Sequence, residues 1–131
     1  MSVGIGGWAK LIDEDDQAVM YEYGCYNLND ELYRNTQKEK DGIIVISKHA
    51  FREPEIHEKI RKRKGGKRYV ARKRVHVPVG YSNDNIHIQN CSFCWKTDNN
   101  GNDVIARHLI WRILDGYQEN STIPEYMGYH I

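Results

Sequence analysis

DVIARHLIWRILDGY, residues 103–117, places Ile105, Leu109, Ile110, Ile113 and Leu114 on one stripe at helical spacing. Asn102 or Asp103 can cap the first free backbone N–H groups, so the stretch predicts a helix over Val104–Tyr117. Arg107, His108, Arg112 and Asp115 flank the stripe, and Gly116 weakens its end. A helix with a single apolar stripe needs a surface to cover. Ile43-Ile44-Val45-Ile46, just after the turn signal Asp41-Gly42, is short and β-branched and reads as a central buried strand.

Working outward, Gly6–Ile12 and Ala18–Tyr23 alternate around the acidic break Asp13–Asp16. They predict an N-terminal β-hairpin with Val19, Tyr21 and Tyr23 on one face. Residues 26–40 are polar and without period, a loop or a short helix capped by Asn29 or Asp30. Pro54–Lys64 carries helix signals: Pro54 at the first position, Glu55 and Glu58 early, cations late, Gly65 beyond, and Ile56 and Ile60 four apart. Tyr69–Val79 and Asn85–Cys91 alternate and predict a second hairpin. The tail Ile123–Ile131 suits an edge strand. The elements do not follow βαβ alternation. The fold class is therefore α+β: one domain, residues 1–131, with a mostly antiparallel sheet of two hairpins plus a central strand, covered by a C-terminal amphipathic helix.

Composition bounds the function. The chain has 131 residues, 28% charged and 40% hydrophobic, which suits one domain with a real core and excludes a disordered tail. No apolar run approaches the roughly 20 residues a membrane helix needs, so no membrane association is expected. Three cysteines and no visible secretory signal point to free thiols in a cytoplasmic protein.

The net charge of +1 hides a polarised map. Residues 59–74, KIRKRKGGKRYVARKR, hold ten Lys/Arg and no acid: Lys59, Arg61, Lys62, Arg63, Lys64, Lys67, Arg68, Arg72, Lys73 and Arg74. Residues 1–58 hold six Lys/Arg against twelve acids, and residues 75–131 three against six. Such a segment can face a protein partner of complementary charge, neutralise nucleic-acid phosphates, or stand in solvent as a guarded edge. Tyr69 is its one aromatic, so base stacking has little support. The acids of the rest of the chain are expected to neutralise part of it.

Cys91-Ser-Phe-Cys94, with His87 four residues earlier and Cys25 or His108 as a fourth donor, has the residue types of a zinc site. It lacks a second CxxC or an HxxxH pair, and no helix start follows to acidify a redox thiol. Cys91 and Cys94 are therefore expected to be semi-buried thiols, with no metal and no cofactor. If residues 69–79 and 85–91 pair, His76 and His87 sit together near Arg72, Lys73 and Arg74. That is the acid/base and phosphate-holding arrangement of a metal-independent ribonuclease over residues 59–76, or an ordinary solvated strand face. GxGxxG, P-loop, GxSxG and HExxH patterns are missing, which weighs against an enzyme.

Gly7-Trp8-Ala9, Leu11, the acidic turn, Tyr21-Glu22-Tyr23 and Asn27-Leu28-Asn29 resemble the opening of small bacterial proteins of unassigned function. Those continue to an Asp-Gly strand, here Asp41–Ile46, and close with an amphipathic helix, a Pro and a short tail, here Val104–Tyr117 and Pro124–Gly128. The resemblance covers about half of the chain, in its two ends, and residues 59–80 depart from it. It implies a fold and no catalytic residues. Small acidic α+β proteins of this style are similar to immunity or antitoxin proteins by analogy. The expectation is a non-enzymatic protein-binding module of the immunity or antitoxin-like inhibitor kind, with a nucleic-acid-binding protein or metal-independent ribonuclease using residues 59–76 as the alternative.

Overall fold

The computed structural model describes residues 3–62, 64–75, 77 and 84–131, and of Arg74 the backbone alone. Among the described residues seven strands and one α-helix follow in chain order: β1 Ile5–Glu14, β2 Ala18–Asn27, β3 Gly42–Ser47, β4 Glu55–Lys62, β5 Arg68–Val75, β6 Ile86–Gln89, α1 Val104–Asn120 and β7 Tyr126–His130. Five of the strands form an antiparallel sheet in the order β6-β3-β2-β1-β7, and β4 and β5 pair apart from it. The fold is α+β, as the element pattern predicts.

The N-terminal hairpin forms where alternation puts it. Asp15 Oδ1 accepts from the N–H groups of Gln17 and Ala18 and closes the acidic turn. Val19, Tyr21 and Tyr23 all point into the core. Strand β3 buries Ile44 and Ile46, but β2 takes the middle of the sheet.

Helix α1 starts at Asp103, whose Oδ1 accepts from Ile105 N–H at 2.9 Å. Its five-residue stripe is buried against the sheet, none of it more than 2% exposed. A Cβ on Gly7 would stand 2.8 Å from the Ile105 side chain, so only glycine lets the helix start lie this close to β1. Gly116 does not end the helix, which runs to Asn120 and stops at Ser121 in the left-handed region (φ 58°). The tail forms edge strand β7 along β1.

Two expectations are corrected. Residues 54–64 are not a helix: Glu55–Lys62 is a strand. The spacing of Ile56 and Ile60 satisfies both periods, since residues four apart also share one face of a strand. Gly65 and Gly66, with φ of 101° and 92°, turn the chain back as a hairpin instead of capping a helix. Strand β5 therefore pairs upstream with β4, and the expected hairpin of residues 69–79 with 85–91 does not form. Strand β6 pairs with β3 instead, Ile44 facing Ile88 and Ile46 facing Ile86, which completes the apolar floor under α1.

Among the described residues no helix is long and apolar enough to cross a membrane.

Candidate functional site

The cationic segment is a two-stranded ribbon. Its register runs from Glu55 opposite Val75 to Lys62 opposite Arg68, eight residue pairs and roughly 25 Å of paired strand. Every residue of β4 is exposed. An isolated two-stranded ribbon is marginal in water, so what holds its base matters. Helix α1 grips both roots. The Tyr117 hydroxyl donates to Glu53 and its ring packs edge-on to Phe51 at 5.3 Å, ahead of β4. Beyond β5, Gln118 Oε1 accepts from Val77 N–H and Gln118 Nε2 donates to Val77 C=O, both at 2.8 Å. Gln118 is 1% exposed. Sequence reasoning missed it, although it extends the buried stripe four residues past Leu114.

The ribbon's two faces differ. On one, Ile56, Glu58, Ile60 and Lys62 stand opposite Arg74, Arg72, Val70 and Arg68. The pair Ile60–Val70 is 69% and 53% exposed, and Ile56 63%. Glu58 binds Arg72 at 2.9 Å on this face. On the other face Lys59, Arg61, Tyr69 and Lys73 line a shallow groove of about 360 Å³. Of the sequence-predicted basic residues, Lys59, Arg61, Lys62, Lys64, Lys67, Arg68, Arg72 and Lys73 are exposed on this one ribbon. Arg63 and the Arg74 side chain lie outside the described residues. The expected neutralisation by acids outside residues 59–74 is seen at one cation among the described residues. There, the ribbon cation held in a carboxylate pair is Arg72, and its acid is on the ribbon itself. Ten Lys/Arg face two carboxylates over residues 55–75.

The expected His76–His87 pair is not assembled by adjacent strands. His87 sits on β6 beside β3, exposed, and His76 lies outside the described residues. Nor does His87 join the thiols, and His108 stacks flat on Tyr129, ring centroids 4.6 Å apart.

The thiols meet elsewhere. Cys25, near the end of β2, Cys91, just after β6, and Asp103, the cap of α1, bring one ligand atom each within 4.8 Å of one another. Cys25 Sγ lies 3.4 Å from Cys91 Sγ, and each sulfur lies 3.6 Å from Asp103 Oδ2. The Tyr23 hydroxyl donates to the same Oδ2 at 2.8 Å and accepts from Cys91 N–H at 2.9 Å. Cys94 is half-buried in the turn closed by its own N–H on Cys91 C=O. Burial, with Asp103 beside it, pushes the Cys94 thiol up to about 12. The hydrogen bond between Cys25 and Cys91 divides a proton unevenly, holding Cys25 above and Cys91 below the ordinary thiol value. Burial beside Asp103 raises Tyr23 well above the usual phenol range.

Away from the ribbon, Trp8, Tyr26 and His130 line an aromatic cleft. There the Tyr26 hydroxyl meets His130 Nδ1 at 2.8 Å, and Lys38 Nζ stands 6.0 Å over the Trp8 ring.

Comparison with known proteins yields no match: no family model, no curated protein and no solved structure pairs with the chain.

Proposed function

We propose that the protein is a non-enzymatic binding module that docks an acidic protein partner through the β4–β5 ribbon, in the manner of an immunity or antitoxin protein. One observation carries this reading: among the described residues the exposed aliphatic pair Ile60–Val70 sits among eight exposed cations on a ribbon paired apart from the sheet. Guarding an edge strand accounts for the cations but gives no reason for a cross-strand aliphatic pair left in water. A partner surface with an apolar centre and an acidic rim would satisfy both. The cations then speed encounter, and the aliphatics supply the area buried.

The second face favours one other reading. Lys59, Arg61, Lys73 and Tyr69 line their groove without an exposed Ile or Val, and a two-stranded ribbon is of the width a DNA major groove admits. Affinity would then come from phosphates and fall steeply with salt.

The deciding experiment is a pull-down from the source cell with and without nuclease, using wild type and Ile60→Ser/Val70→Ser. A protein retained after nuclease and lost with the double substitution supports docking of a protein. Retention that nuclease abolishes and the double substitution leaves intact replaces it with the nucleic-acid reading.

A further inference from the structure

We propose that Cys25, Cys91 and Asp103, completed by Cys94, bind a zinc ion that ties the end of β2 and the residue 91–94 turn to the start of α1. The geometry is that of one face of a tetrahedron. With Zn–S near 2.3 Å and Zn–O near 2.1 Å, tetrahedral ligands stand about 3.8 Å apart for two sulfurs and about 3.6 Å for sulfur and oxygen. The two sulfur–oxygen separations are 3.6 Å and the sulfur–sulfur separation is 3.4 Å. Three unconnected stretches of chain, not one local loop, meet in this spacing.

Asp103 is 0% exposed, and among the described residues no Lys, Arg or His pairs with it. Ile105 N–H and the Tyr23 hydroxyl hold the carboxylate at the N-terminal end of α1, and a cation bound beside it would add to that support. Two thiols and one carboxylate suit zinc, a borderline-soft ion that takes sulfur and oxygen together. Cys94, in the same CxxC turn, offers the fourth donor: its Sγ faces Lys96 C=O at 3.6 Å, outside the three-atom cluster, and completes the site by turning inward. Each thiol releases its proton to solvent as it ligates, and the N-terminal end of α1 favours the negative charge gathered there.

The surroundings orient the ligands as zinc sites require. Asp103 Oδ1 is fixed by Ile105 N–H and Oδ2 by the Tyr23 hydroxyl. Asp103 N–H donates to Asn90 Oδ1, and Asn90 Nδ2 donates to Gly101 C=O, which braces the loop behind the carboxylate.

The test uses the whole chain, purified without chelator. Elemental analysis is expected to find one zinc per chain. Cobalt(II) added to chelator-stripped protein is expected to give thiolate-to-cobalt charge-transfer absorption that saturates at one equivalent. Cys25→Ser removes a ligand but can unfold the core, so Tyr23→Phe is the companion variant, its fold checked by circular dichroism. It keeps all four ligands and is expected to weaken zinc about 10–100-fold. Substoichiometric zinc with no cobalt–thiolate absorption overturns the proposal. So does a non-reduced, denatured chain lighter by two hydrogens, with Cys25 and Cys91 joined and no metal bound. Zinc held equally tightly by folded Tyr23→Phe and Cys94→Ser overturns the ligand assignment.

Discussion

Gln118 binds the backbone of Val77 through both ends of its side-chain amide, each hydrogen bond 2.8 Å long. The side chain acts as a single rung of sheet, made by a helix, at the root of the ribbon. Replacing it with Ala leaves the part-buried Val77 N–H and C=O unanswered, at a cost of about 1 kcal/mol or more. Gln118→Ala is expected to lower the melting temperature by several degrees and to speed amide exchange at Val77 and along β5. Unchanged exchange there would show that the amide does not hold the ribbon.

Leu109 is 0% exposed at the centre of the α1 stripe. Leu109→Ala is expected to destabilise the fold by about 2–5 kcal/mol, read from denaturant midpoints, because the sheet beneath cannot close over the cavity. No shift in midpoint would mean that the stripe is not the main contact between the layers.

On the ribbon the expectation is the opposite. Lys59→Gln, Arg61→Gln and Lys73→Gln together remove exposed charge and should change stability by no more than about 0.5 kcal/mol each. With a captured protein partner they should slow association and leave dissociation nearly unchanged. With nucleic acid they should flatten the slope of log affinity against log salt, by up to about one unit per lost phosphate contact. Stopped-flow mixing at two ionic strengths separates these outcomes.

His108 lies flat on Tyr129, and partial burial, with Arg107 and Arg112 nearby, holds its imidazole below the ordinary value of 6.5. The unfolded chain therefore takes up the proton first as pH falls. Stability should be full above about 6.5 and should decline as pH drops through that value toward the lower folded one. His108→Gln should remove that part of the acid-side decline, as seen in melting temperatures across this range. An identical decline in the variant would assign it to other groups.

Much of the sheet and the helix was legible because period alone decides them. Val19, Tyr21 and Tyr23 can share a face only in a strand, and Ile105 to Leu114 can share one only in a helix. Ile56 and Ile60 were ambiguous, since four residues suit both periods, and the helix-like placing of Pro54, Glu55 and the late cations tipped the reading the wrong way. What resolved it was pairing with Tyr69–Val75, a long-range fact. The thiol cluster was legible only in part: Cys25 was a candidate donor beside Cys91 and Cys94, but Asp103 was not. Cys25 and Cys91 are 66 residues apart, and the carboxylate between them looked fully employed as a helix cap. No ligand spacing links those positions until β2, β6 and α1 are in register.

Strands β3 and β6 lie side by side, and Ser47 N–H binds Asn85 C=O at 2.7 Å. The chain thus leaves the sheet after β3 and rejoins it at β6 in one place, with the ribbon between. Such an excursion can lengthen, shorten or exchange its charges without moving a single rung of the sheet it departs from.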